Sequence, residues 1–257
     1  MQKRSTARSI PWPAPKPHEL LVLLGYLLIF AAGLLLMRCA VAQKPASQRP
    51  VSQKSASDLM AKASAGDPAA EVQVGMKYAL AYPRNIPEAM SWMRKAAEQG
   101  YADGQYRLGG LYDVGVSPQN PAEAIKWYTL AAGQGHKDAQ YRLGQMYDQG
   151  RGTAIDLTEA AAWYEKAATQ GRPEAQFRLG QMYEQGTGVE QNYSTAMKWF
   201  LTAANQKRPE AEFEIGKMYE QGMGVAVNKP KAMEWYQKSV THGNPLAKDA
   251  IKALEEP

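Results

Sequence analysis

Residues 143–152 read LGQMYDQGRG, and residues 179–188 read LGQMYEQGTG. A chain that writes nearly the same ten residues twice, 36 positions apart, is repeating a structural unit. Extending the register in both directions gives five repeats. A glycine recurs at Gly75, Gly109, Gly144, Gly180 and Gly216, and three residues later comes Tyr78, Tyr112, Tyr147, Tyr183 and Tyr219. A tryptophan completes each repeat at Trp92, Trp127, Trp163, Trp199 and Trp235.

Every repeat holds two helical patterns. In the third, Ala139, Leu143, Met146 and Tyr147 fall at i, i+4, i+7 and i+8, a single apolar stripe. Gly144 interrupts that helix at a cost of about 1 kcal/mol relative to Ala. The same cost taken five times predicts a neighbouring helix that passes too close for a side chain. The second helix starts at a capping residue, Asn85, Asn120, Asp156, Asn192 or Asn228. Asn120 to Glu123 and Asp156 to Glu159 have the spacing of capping boxes. Its stripe runs Ala160, Trp163, Tyr164, Ala167, Ala168, which makes the tryptophans core residues rather than a sugar-binding row. Gly100, Gly135, Gly171 and Gly243 supply the left-handed stop, whereas Lys207 takes that place in the fourth repeat.

Between the helices, Gly150-Arg151-Gly152, Gly186-Thr187-Gly188 and Gly222-Met223-Gly224 make tight connections. They follow helices rather than strands and lack the lysine of a phosphate loop, so they are turn chemistry. One helix pair cannot bury its own apolar face, so the repeats must stack. The predicted fold is an all-α, right-handed α-solenoid of about five helix-turn-helix repeats over residues 59–257. The first repeat and the tail after Asn244 depart from the pattern as end caps do.

Ahead of the repeats lies a leader. The chain has 30 basic and 25 acidic side chains and a formal net charge of +5. Five of the basic ones (Lys3, Arg4, Arg8, Lys16, Arg38) but only Glu19 of the acids lie in residues 1–42. The remainder is close to neutral and carries no footprint for a nucleic-acid backbone. Residues 20–37 form an uncharged apolar run that as a helix would extend about 27 Å, the scale of a bilayer core. Ala40-Val41-Ala42 then fits a signal-peptidase site with cleavage after Ala42. A cleaved signal and an uncleaved membrane anchor both follow from these residues, and both export the repeats. Arg38 is too large and charged to precede a lipidated cysteine. Cys39 is the single cysteine, so the exported part can hold no internal disulfide. Residues 43–58, polar and proline-containing, read as a flexible linker.

The pattern A-x-x-x-L-G-x-x-Y-x-x-G-x-G, followed by A-x-x-W-Y-x-x-A-A-x-x-G, resembles the Sel-one-like repeat family, a relative of tetratricopeptide repeats. The resemblance covers roughly residues 66–256 and is nearly complete over Ala139–Gly171. It implies a binding scaffold for protein assembly, signalling or envelope regulation. Cysteine-rich members linked to β-lactam binding are a poor analogy for a chain without paired cysteines.

No catalytic constellation is visible. His136 and His242 each sit beside a turn glycine, outside any HExxH or metal spacing, and read as helix-terminal imidazoles. No GxSxG or SxxK encloses a serine. Neither a cofactor nor a metal is called for. A helical wheel turns the stripe of Ala139, Leu143 and Tyr147 inward and points positions two, six and nine after that alanine the opposite way. Position two holds Tyr106, Tyr141, Phe177 and Phe213; position six holds Gly110, Gln145, Gln181 and Lys217. Position nine holds Asp113, Asp148, Glu184 and Glu220. Aromatics flanked by amides and acids suit a protein-binding strip, and equally suit packing onto the next repeat. The prediction is an exported, non-catalytic scaffold that binds a protein of the cell envelope or a secreted effector. It touches a membrane only through residues 20–37, and only if the leader stays uncleaved. A periplasmic immunity protein that neutralises a secreted antibacterial toxin is one alternative. An envelope hydrolase acting on peptidoglycan or β-lactams is another, without a nucleophile or metal set to support it.

Overall fold

The computed structural model describes residues 49–115 and 119–256. The leader, with its apolar run at 20–37 and the cleavage position after Ala42, lies outside the described residues, as do linker residues 43–48. No described helix is long and apolar enough to cross a membrane. The described residues from Asp58 onward form one compact unit.

The first described helix, α1, spans Arg49–Ser64 and so begins inside the stretch predicted as linker. Pro50 occupies its first turn, where the missing N–H is no loss, and no glycine interrupts the fourteen residues that follow. Leu59 and Ala63 near its end join Ala70, Val74 and Trp92 in an apolar cluster, which gives this otherwise polar segment a reason to stay helical.

Five helix pairs follow. They are α2 (Pro68–Leu80) with α3 (Ile86–Glu98), and α4 (Ala102–Gly110) with α5 (Pro121–Gly133). Next are α6 (Lys137–Gln149) with α7 (Leu157–Thr169), and α8 (Pro173–Gln185) with α9 (Tyr193–Ala204). The fifth is α10 (Pro209–Gln221) with α11 (Lys229–Thr241), and α12 (Leu246–Glu255) closes the stack. No strand occurs among the described residues. From α2 on, each helix packs on the next in sequence. The apolar clusters fall between repeats as the stacking argument requires. One joins Ala160, Tyr164 and Ala167 of α7 to Ala175, Leu179 and Met182 of α8, and another joins Phe200 of α9 to Ile215 and Met218 of α10.

The recurrent glycine is explained by one contact. A Cβ on Gly144 would stand 2.6 Å from the ring of Tyr164, and on Gly180 it would stand 2.6 Å from Phe200. Tyr128, Tyr164, Phe200 and Tyr236 are fully buried against these glycines. The residue before each of them is the tryptophan, and there the core prediction needs correcting. Trp92 is buried, but Trp127, Trp163, Trp199 and Trp235 are half-buried. Each of the four packs on the cluster of the preceding junction, as a wedge at its edge. An indole is too wide to enter a layer already filled by the next aromatic and by alanines.

All five capping residues accept a hydrogen bond from the third backbone N–H of their helix. The reciprocal half of the capping box is replaced. The N–H of Asn85, Asn120, Asp156, Asn192 and Asn228 donates to the carbonyl of Tyr78, Tyr112, Tyr147, Tyr183 and Tyr219 in the preceding helix. That bond closes every intra-repeat loop and leaves the glutamates free for other partners. In each Gly-x-Gly turn the first glycine is the left-handed cap of the first helix. The second lies against the start of the preceding repeat's second helix: a Cβ on Gly152 would meet Pro121 at 2.6 Å, and on Gly224 it would meet Tyr193 at 2.6 Å.

Candidate protein-binding face

Position one of each first helix, next to the apolar stripe, carries a buried polar rung. Gln105, Gln140 and Gln176 donate to the carbonyls of Ala97, Ala132 and Ala168 at 3.0–3.2 Å. Their own oxygens accept from Gln134, Gln170 and Gln206 at 2.7–2.8 Å. The ladder ends on acids: Glu71 accepts from Gln99 at 2.8 Å, and Glu212 meets His242 Nδ1 at 2.9 Å. Burial pushes the Glu71 carboxyl above its ordinary range.

The position-two aromatics are half-buried. Tyr106, Tyr141, Phe177 and Phe213 lie 5.4–5.8 Å from the buried Tyr128, Tyr164, Phe200 and Tyr236 of their own repeats, tilted. The next repeat covers three of them. His136 stacks on Tyr106 at 4.6 Å, Arg172 lies over Tyr141 at 4.5 Å, and Arg208 lies over Phe177 at 5.7 Å. Each covering group also reaches an acid early in that same helix: Asp103 for His136, Asp138 for Arg172 and Glu174 for Arg208. The hydrogen bond from His136 holds the Asp103 carboxyl below its usual range. These aromatics are thus bound into the stack, and of the four only Phe213 has no such covering group among the described residues.

Position nine divides in two. Asp148 accepts from the Tyr164 hydroxyl at 3.1 Å and from Arg178 Nε and Nη2 at 2.9 Å each. Glu220 accepts from Tyr236 at 2.5 Å. Burial and the adjacent carboxylates push both tyrosine hydroxyls up, so they remain donors. Asp113 is buried beside Arg151. Glu184 differs. Its position in the stack faces Glu214 where Asp148 faces an arginine, and burial together with the Glu214 charge raises its carboxyl. Lys217 partly offsets this and lies 2.5 Å from Glu214.

Position six holds side chains whose bonds stay within one helix. Gln145 joins Tyr141 and Arg142 of α6, Gln181 accepts from Arg178 of α8, and Lys217 pairs with Glu214 of α10. The position-three residues Arg107, Arg142, Arg178 and Glu214 were not foreseen on this face. Their wheel angle is only 60° from position six, and a long arginine stem reaches back across it. Repeated arginine at 107, 142 and 178 was the available signal. His136 and His242 end helices as expected, the first as N-cap of α6 and the second as C-cap of α11. Among the described residues, no three His, Cys, Asp or Glu side chains are placed to hold a metal ion.

The Sel1 repeat family matches residues 68–101, 102–136, 137–171, 173–207 and 209–244. Those limits coincide with the five helix pairs. Two solved structures are similar in sequence as well as in fold. One is a protective antigen of uropathogenic Escherichia coli with the SLR fold: 36% identity, a TM-score of 0.73, over 77% of this chain and 43% of that one. The present chain therefore spans less than half the length of that relative. The other is a Sel1 repeat protein from Oxalobacter formigenes: 32% identity, a TM-score of 0.70, over 77% of this chain and 82% of its own. No curated protein is similar enough to be matched.

Proposed function

Because this chain belongs to the Sel1 repeat family, a scaffold fold of the protein-interaction type, we propose that it is an exported, non-catalytic scaffold of the cell envelope. It captures a protein partner on the face built by its first helices. One observation carries the assignment of that face. Gln145, Gln181 and Lys217 recur on it with hydrogen bonds confined to their own helices. They can turn to a partner without unstacking the repeats, and Glu184 lies beside them with no donor on its carboxylate among the described residues. Support for export comes from the basic leader and the apolar run at 20–37, and from the E. coli relative's being a protective antigen.

The test is a comparative pull-down from envelope extract. Wild type is set against the triple variant Gln145→Ala, Gln181→Ala, Lys217→Ala, with unfolding curves as control. Loss of the captured protein with stability unchanged supports the assignment. Equal capture removes this face. A fusion of residues 1–60 to a periplasm-dependent reporter tests export, and a reporter that stays silent ends that part of the proposal.

A further inference from the structure

The third and fourth repeats are tied by one pair: Arg178 at position three grips Asp148 at position nine of the repeat before it. One junction earlier the same residue types are present, Arg142 and Asp113, yet they do not pair. Unlike α6, α8 and α10, helix α4 runs into a π-turn over Leu111–Gly115, whose wider coil carries Asp113 inward. There it is buried and takes Arg151 at 2.5 Å. Half-buried Arg142 is left with Gln145 at 3.1 Å and a hydrogen bond with Tyr106. No carboxylate among the described residues is within ion-pair range of it, and the Asp113 charge reaches it only through space. Burial disfavours the Arg142 charge and its polar neighbours offset this, but no carboxylate pairs with it directly, which leaves its fork open to an anion.

Beside Arg142 lies a hollow of about 260 Å³. Arg107 and Arg142 line its polar part together with Tyr106, Tyr128 and Asp113, whose charge is met by Arg151, and Met76, Met93, Leu111 and Val114 supply an apolar wall. It opens because position six is Gly110, where later repeats carry Gln145, Gln181 and Lys217. Arg107 is already committed to Asp103 at 2.8 Å. Val114 stands at the rim 62% exposed. The volume is below the roughly 300–1,000 Å³ of drug-sized sites, so it suits one residue rather than a segment.

We propose, on the basis of the scaffold function above, that this hollow receives the C-terminal residue of the partner protein. Its α-carboxylate binds Arg142 and its aliphatic side chain fills the wall of Met76, Met93, Leu111 and Val114. Only the last residue of a chain carries a carboxylate and an apolar side chain on the same Cα. An internal Asp or Glu holds its carboxylate at the tip of the side chain, with nothing apolar beside it.

The full chain is titrated with N-acetyl-leucine, N-acetyl-leucinamide and acetate at millimolar concentration, followed by saturation-transfer NMR. N-acetyl-leucine binds, and removing either its charge or its side chain weakens binding about tenfold or more. Arg142→Gln erases the preference for acid over amide, whereas Arg178→Gln, at the same position of the next repeat, leaves it. Gly110→Gln refills the hollow and abolishes binding of N-acetyl-leucine. Its added Cβ meets only the Tyr128 hydroxyl at 3.6 Å, so the helix tolerates it. The proposal is overturned by acid and amide binding alike, by acetate matching N-acetyl-leucine, by no transfer from any probe, or by a preference that survives Arg142→Gln. Any of these with the triple-alanine pull-down behaving as expected refutes the hollow alone. A failed pull-down with N-acetyl-leucine still bound refutes the face at position six instead.

Discussion

Gly144→Ala will destabilise this protein although alanine is the better helix former. The new Cβ would stand 2.6 Å from Cδ1 and Cε1 of Tyr164, about 1 Å inside the ordinary contact distance of about 3.5–4.0 Å. Tyr164 has no slack. It is fully buried, and its hydroxyl is held at 3.1 Å by the same Asp148 that grips Arg178. Overpacking of this kind costs about 1–3 kcal/mol, and stretching the tyrosine–aspartate bond adds about 1 kcal/mol. Helix propensity returns about 1 kcal/mol, so the net loss is about 1–3 kcal/mol. For a folded body of this size that lowers Tm by roughly 2–4 °C per kcal/mol. Gly133→Ala is the control, because nothing lies within 4 Å of a Cβ there. It should raise stability by up to about 1 kcal/mol. Circular dichroism melts of the full chain report both, and amide exchange in α6 and α7 shows whether the loss is local to the third repeat, as nearest-neighbour stacking requires. If Gly144→Ala melts at or above wild type, the close approach is not the reason for the repeated glycine.

Lys207 holds φ +60 where the equivalent residues of other repeats are glycine; Lys207→Gly should add about 1 kcal/mol by relieving left-handed strain, and a denaturation midpoint that does not rise refutes this. Folding raises the Glu71 carboxyl above its ordinary 4.5, so the folded state binds that proton more tightly than the unfolded chain. Wild-type stability therefore increases as pH falls from neutral through the folded value towards 4.5. Glu71→Gln keeps an acceptor for Gln99 and can donate to the Ala63 carbonyl as Gln105 does to Ala97, so it should be more stable at neutral pH and lose that slope. An unchanged slope in urea titrations between pH 4 and 8 counts against it. Asp148→Asn leaves half-buried Arg178 without its carboxylate and should cost about 2–3 kcal/mol by the same titration.

The helix pairs, their caps and the stacking were legible because each rests on local chemistry written five times. The glycine at 144 announced a close approach, and Asn or Asp announced the cap of every second helix. What was not legible depends on residues about thirty positions apart. A wheel drawn on α6 alone points Asp148 outward, but Arg178 of the following repeat reaches back to it. The covering of Tyr141 by Arg172 has the same origin. A single-helix projection omits the neighbour, and in a stack the neighbour determines what is exposed. The first turns of α1 were missed for a different reason. Their composition suits a linker, and only Leu59 and Ala63 beyond them anchor the helix. The π-turn did leave a trace: Gly109 and Trp127 are 18 residues apart, against 19 in the three repeats that follow.

That trace separates architecture from function in a repeated chain. A residue type that returns at one position in every repeat is explained by what every repeat must do, which is cover its neighbour. The glutamine ladder, the buried aromatic and the arginine–acid pair all satisfy that demand inside the protein. A contact offered to a partner need not recur in every repeat, because stacking does not require it. It should appear where one repeat departs from the others without losing its own packing. Repeat two keeps Leu108 and Tyr128 fully buried while changing position six to Gly110, shortening its loop and releasing Arg142 from the acid that its successor Arg178 retains. The departures cluster around one hollow, and the residues responsible for stacking there are undisturbed. Three departures that meet at one hollow without unstacking the helices suit a binding site grafted on a repeat scaffold.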